Sequence, residues 1–278
     1  MKPASLRQQK IAEVYDGEIW PLLPGRAAAL ILRALPGRAQ SVVFEAGCAS
    51  GQLALAVAER LDEASRLLAI DGSPALIALA DAAKIKHPAG SKVTFHVADA
   101  VPPLPVDDAA YDLALSNLAV GEASDPRATI GELHRCLKPG GRVLMTLPLQ
   151  GSWAEFLDLY GDVLTEQGKR EGLAALTAWK AAVPDAATAA SWLDAAGFTQ
   201  TSVEMERFEL LFKSAREFFF APVVERGPLP VWKQIAGRGD EMQDVFFFIK
   251  EAIETYFSRT VFPVTMVIGC LSGTKPSP

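Results

Sequence analysis

Three apolar stretches of this chain each run into an acid: Glu45 closes "SVVFE", Asp71 closes "RLLAID" and Asp99 follows "KVTFHVA". An ionised carboxylate only accepts hydrogen bonds, so each acid suits a ligand rich in hydroxyl or amine groups. Asp71 can take both bonds of a ribose diol. Asp99, helped by the backbone of Ala100, can meet the exocyclic amine of a base. Between the first acid and a helix-like run stand Gly47 and Gly51, and glycine lets the backbone approach a ligand without a side chain in the way. The combination points to an adenosine-containing cofactor.

The acids can act together only if their strands lie side by side and point the same way. The segments between them support that arrangement. "QLALAVAERL" and "PALIALADAAKI" read as helices, the second with Pro74 in its first turn. "YDLALSNLAV" is a fourth strand, "PRATIGELHRCLKPGG" a helix closed by Pro139-Gly140-Gly141, and "RVLMTLPL" a fifth strand. Such alternation predicts an α/β domain with a mostly parallel sheet and ligands at the carboxyl ends of its strands. Residues from about Lys10 to Leu35 read as helical, with a break near Pro21 and Pro24. After Gly151 helical stretches dominate, apart from the strands "TSVEMERFELLF" and "VFPVTMVIGCLSG". With no internal repeat and no low-complexity linker, one domain is expected over residues 1–278.

At these residues the chain resembles the class I S-adenosylmethionine-dependent methyltransferases. Their first motif, E/D-x-G-x-G-x-G, stands here as Glu45-Ala46-Gly47-Cys48-Ala49-Ser50-Gly51. "AIDGSPAL", "VADAVPPLP", "YDLALSNLAV" and "CLKPGGRVLMTLPL" follow in the family's order, from about Val42 to Leu149. The resemblance implies a Rossmann-like sheet of seven strands, mostly parallel, with helices on both faces, the last strand antiparallel and helical lid insertions. It implies an N-terminal helical lid over 1–38, a cofactor-binding core over 39–150 and a substrate-side half over 151–278. The turn from Gly47 through Cys48 and Ala49 to Gly51 would hold the methionine part of S-adenosylmethionine, and Asp71 the ribose. Gly72 and Ser73 would border the adenine, Asp99 and Ala100 would meet its amino edge, and Asn117 would lie near the methionine and the substrate. Tyr15, in "EVYDGEIW", resembles a tyrosine that closes over the cofactor. Ala49 departs from the family glycine, and an alanine resists positive φ. "SNLAV" with "TLPLQGSWAEF" is most similar to the malonyl carrier-protein methyltransferases and their mitochondrial assembly-factor cousins, although Gly121-Glu122 replaces the expected Gln-Trp.

The implied reaction is methyl transfer by in-line displacement to a small-molecule or carrier-bound acceptor, with S-adenosylhomocysteine as product. No residue stands out as a catalytic base. Composition narrows the partners: a net charge of -6 and a pI near 5.2 argue against nucleic acid. Three scattered cysteines and three histidines show no metal-ligand spacing. No apolar run approaches a membrane span or a signal-peptide core, so a cytoplasmic location is expected. Cys48 has no base motif beside it and reads as a small buried filler. His134 reads as a rim residue, and His87 and His96 as residues without partners. The aromatic stretches "EFFFA" and "DVFFFIKEAIETYF", with Trp153, Tyr160 and Trp179, suit either core faces or an apolar substrate chamber. Two rivals remain at this point. One is a nicotinamide oxidoreductase, to which the glycine turn gives a degenerate match. The other is a non-catalytic assembly or binding protein that keeps the fold.

Overall fold

The structure is a computed structural model, which describes residues 4–37 and 41–277. The boundary expected at 38/39 lies outside the described residues. The chain divides into two compact units. The first comprises Met1–Leu147, Ala186–Met205 and Gly269–Pro278; the second comprises Pro148–Asp185 and Glu206–Ile268.

The first unit opens with helix α1 (Leu6–Val14), a π-helical turn (Tyr15–Ile19) and α2 (Pro24–Ala34). Ser5 and Gln8 close a reciprocal capping box at the start of α1. Then come β1 (Val42–Ala46), α3 (Gln52–Arg60), β2 (Arg66–Asp71), α4 (Pro74–Lys86), β3 (Val93–Val97) and β4 (Tyr111–Asn117). A one-turn helix α5 (Ala119–Glu122), α6 (Pro126–Cys136) and β5 (Leu137–Pro148) follow. The second unit contributes α7 (Ala154–Glu166) and α8 (Arg170–Ala182), and the chain returns to the first for α9 (Ala186–Ala195). Strand β6 (Thr199–Phe212), the four helices α10 (Ala215–Phe220), α11 (Pro222–Glu225), α12 (Leu229–Ala236) and α13 (Asp240–Tyr256), and β7 (Phe262–Thr274) complete it.

Seven strands form one sheet in the order β3-β2-β1-β4-β5-β7-β6. Pairs β1–β2, β2–β3, β1–β4 and β4–β5 are parallel, and antiparallel pairing enters only with the last strands. The expected sheet is therefore present. Its strand order reverses between β1 and β4, and in open sheets ligands bind in the crevice at such a switch point. Val43, Phe44, Leu67, Ile70, Leu115, Val143 and Met145 are essentially inaccessible, as expected for strands covered on both faces.

Two boundaries differ from the sequence expectation. The fourth strand stops at Asn117, because Leu118 turns to φ +65° and gives its N–H to Thr146. Helix α6 stops at Cys136, and Lys138-Pro139-Gly140-Gly141 joins the sheet instead of closing the helix. A distant residue causes this. The backbone of Lys275 bonds to Gly140 and Gly141 at 2.8 Å each, and its ammonium donates to the carbonyls of His134 (2.9 Å) and Leu137 (2.8 Å). The lysine charge suits the negative end of that helix.

In the second unit the core is aromatic. Phe156 stacks on Trp232 with centroids 4.2 Å apart, Phe218 and Phe262 are sealed from water, and Tyr160 donates its hydroxyl proton to the Trp232 carbonyl at 2.6 Å.

Candidate active site

Glu45 lies one residue before the end of β1, and the chain then enters a turn in which every second residue is left-handed. Gly47, Ala49 and Gly51 have φ of +76°, +47° and +77°. The N–H groups of Gly47 and Cys48 both donate to the Ile70 carbonyl at 2.9 Å, fastening the turn to β2. Ala49 thus takes the conformation that its methyl group resists, at a cost of about 1–2 kcal/mol. Its N–H donates to Asp71 Oδ2 at 2.9 Å, a charge-assisted bond that offsets the strain.

The two glycines also serve the protein's own packing. A Cβ built on Gly47 would lie 2.4 Å from the Ala119 Cβ, and one on Gly51 would lie 2.5 Å from the Phe95 ring. The glycines let α5 close on the first turn and let β3's Phe95 pack under the start of α3. Ala100 comes to the same place, 3.9 Å from that built Gly47 Cβ.

Asp71 ends β2 and joins two turns. Its Oδ2 holds Ala49 and its Oδ1 accepts from the Ser73 N–H at 2.9 Å. Burial raises its pKa above the ordinary value, the two backbone N–H groups pull it back, and the Asp99 charge adds to the rise. Gly72 lies close to Asp99, whose Oδ1 would stand 2.6 Å from a Cβ built on the glycine. Ser73 caps α4 through the Leu76 N–H. Asp99 itself is exposed.

Glu45 is 1% exposed, and its Oε2 has no hydrogen-bond partner. Burial, then the Asp71 charge, pushes its pKa up to about 8. Tyr15, in the π-helical turn, is likewise held above its ordinary range by burial and then by the charges of Glu122, Asp71, Glu45 and Asp16. Its phenol therefore stays protonated. Gln52 donates to Asp16 at 2.5 Å and ties that turn to α3. The predicted residues Tyr15, Glu45, Gly47, Ala49, Asp71, Gly72, Asp99 and Ala100 thus gather at one sheet edge.

Asn117 has a different occupation. Its amide donates to the Pro24 carbonyl at 3.0 Å and accepts from Thr146 Oγ1 at 2.7 Å, so its side chain braces α2 against β4 and β5. Cys48 is buried, with a thiol that burial pushes up, consistent with the filler reading. His134 is half-buried, in keeping with the rim reading, and its ring meets Phe198 edge-on at 4.8 Å. His87 does have a partner, Glu59 at 3.3 Å. Of the aromatic candidates, Phe218 belongs to the core while Phe220, Phe247 and Phe248 face solvent. Within the second unit, Trp179 lines a cavity of about 410 Å³ with Gln150, Ser152, Leu157 and Lys180.

Sequence reasoning missed Glu122. It stands on α5 and is raised above its ordinary value by desolvation and by Asp71, although its side chain reaches solvent. The signal was present as the departure at Gly121-Glu122. Among the described residues no group of three His, Cys, Asp or Glu side chains is placed to hold a metal ion, and no helix is long and apolar enough to cross a membrane.

Residues 44–145 match the family model described as a methyltransferase domain. A malonyl-[acyl-carrier protein] O-methyltransferase of Salmonella typhimurium is 34% identical over 133 residues, 48% of this chain and 49% of that protein. The chain spans about half the length of the curated relatives it matches. Among solved structures, the YcgJ protein of Bacillus subtilis superposes with a TM-score of 0.59 at 14% identity, covering 91% of this chain and all of that one. Phosphoethanolamine N-methyltransferase 2 of Haemonchus contortus, solved with S-adenosyl-L-methionine, gives 0.54 at 18% identity, over 91% of this chain and 53% of that one. The match over residues 44–145 and the strand order of the sheet together make the first unit similar to a methyltransferase domain of Rossmann-like fold.

Proposed function

We propose that the chain binds S-adenosylmethionine at the carboxyl edge of β1, β2, β3 and β4 and transfers its methyl group to a small-molecule or carrier-bound acceptor. The observation that carries this reading is Glu45 Oε2, a buried carboxyl oxygen with no partner among the described residues. An unpaired buried acid is costly, and a cationic ligand removes the cost. The cofactor's α-ammonium group fits that need. Asp71 fits the ribose, since each of its oxygens takes one backbone N–H and keeps a second lone pair. Gly72, Ser73, Asp99 and Ala100 would flank the base, and the backbone from Gly47 through Cys48 and Ala49 to Gly51 would line the methionine. Tyr15, kept protonated by its acidic neighbours, would cover the site and donate a hydrogen bond. Asn117 would contribute position, because its amide is already engaged.

When bound, the cofactor supplies an electrophilic methyl group on a sulfonium sulfur. The chain's part is to align the acceptor and exclude water. A base is needed only for an acceptor that must lose a proton, and we assign none. The curated relatives named for malonyl-carrier methylation favour a carrier-bound acyl group as the first acceptor to test. A cytoplasmic location belongs to the same proposal and is checked by cell fractionation.

Titration calorimetry with S-adenosylmethionine and S-adenosylhomocysteine tests the binding. Mass spectrometry of malonyl-carrier protein and of small carboxylates and amines, after incubation with the cofactor, tests transfer. Failure to bind either cofactor form sinks the reading, and binding of a nicotinamide dinucleotide instead selects the oxidoreductase. Binding without transfer to any acceptor selects the scaffold.

A further inference from the structure

Helix α5 leaves β4 through the left-handed Leu118, and its first residue, Ala119, presses directly on the Gly47 turn. Glu122 follows three residues later. Positions three apart lie on one face of a helix, so Glu122 shares the face of α5 that carries Ala119. Two other elements meet it there. Its charge acts on Tyr15 of the π-helical turn more strongly than any other charge, and Asp71 at the end of β2 acts on Glu122 in return. Glu122 has no ion-pair partner among the described residues, and Glu45 Oε2 lies unpartnered in the same acidic setting. No lysine or arginine is among the groups that act on Glu45, Asp71 or Glu122. The corner where β1, β2 and β4 meet therefore gathers acidic groups without a compensating cation among the described residues.

We propose that Glu122 is a specificity-determining residue that reads the charge of the cofactor, favouring the cationic sulfonium over the neutral thioether left after transfer. This inference rests on the cofactor reading above and goes beyond it. Glu45 faces a need common to both forms, since substrate and product carry the same α-ammonium group. The sulfonium charge is the only one lost in the reaction, so a carboxylate that senses it weakens retention of product relative to substrate. Because Glu122 reaches solvent, water and salt screen it, and the expected discrimination is about fivefold.

The test is titration calorimetry of S-adenosylmethionine and S-adenosylhomocysteine with the full chain, as wild type, Glu122→Gln and Glu122→Asp. We expect Glu122→Gln to weaken S-adenosylmethionine binding about fivefold while leaving S-adenosylhomocysteine unchanged. Glu122→Asp should restore most of the difference, and added salt should shrink the wild-type ratio but not that of Glu122→Gln. A parallel loss for both ligands would mean that Glu122 only shapes the site, and no change for either would mean that it does not sense the cofactor. Both results overturn the proposal. They differ from failure of the cofactor reading, in which the wild type binds neither ligand.

Discussion

Glu45 in the first unit and Glu155 in the second are both carboxylates drawn out of bulk water, and the chain treats them in opposite ways. Glu155, on α7, accepts the Thr265 N–H at 2.7 Å and the Thr265 hydroxyl at 2.6 Å. Burial alone would raise its pKa, yet those bonds and the Arg207 charge outweigh it and hold the group below its ordinary value. Glu45 has an orphaned oxygen, an acidic neighbour and a pKa raised to about 8. A satisfied carboxylate is a fastening within the fold. An unsatisfied one is open to a ligand that supplies the missing partner.

The largest effect that sharpens this contrast is on binding. Glu45→Ala should weaken S-adenosylmethionine binding by about 100-fold, the scale of a lost buried charge pair of about 2–3 kcal/mol. Calorimetry on the variant checks this, and an affinity within a few-fold of wild type would break the comparison. Glu155→Ala should do the reverse. Loss of its two charge-assisted bonds should cost about 1.5–3 kcal/mol of stability in a denaturant melt, with cofactor affinity preserved.

The two acids should also titrate in opposite senses. Glu45 has a folded pKa above its unfolded one. Its favourable contribution is complete below the unfolded value near 4.5 and is lost as pH rises through about 8. Asp71 and Glu122 are shifted in the same direction. Cofactor-free protein should therefore melt at a lower temperature at pH 8.5 than at pH 6, and Glu45→Gln should flatten that slope. Glu155, shifted downward, adds stability above its unfolded value and loses it as pH falls through its depressed folded value. Glu155→Gln should leave the alkaline slope intact and reduce the acid one. Thermal melts across pH on the three proteins separate these outcomes.

The smallest effect concerns Ala49. Replacing it by glycine relieves the φ of +47° but frees the unfolded chain, so the net change should lie within about 1 kcal/mol, on the stabilising side. A clear loss of stability in Ala49→Gly would show that the methyl group contributes packing that outweighs the strain.

Much of the first unit was legible because its signals are local. Apolar runs ending in Glu45 and Asp71 encode buried parallel strands, Pro74 marks the first turn of α4, and alternate small residues mark a turn too tight for side chains. The helix stop was misread for a non-local reason. Pro139-Gly140-Gly141 looks like the end of a helix, but Lys275, far away in sequence, bonds to those glycines.

The sequence by itself determined which residues could form the turn and which acids would end the strands, since periodicity, chain reversal and charge are properties of neighbours. Only the tertiary structure decided which polar atoms found partners. The Asn117 amide is consumed by Pro24 and Thr146, Asp71 is shared between two turns, and Glu45 Oε2 has no partner among the described residues. Each outcome depends on segments distant in the chain arriving within about 3 Å of one another, the reach of a hydrogen bond, and the local pattern does not encode that reach.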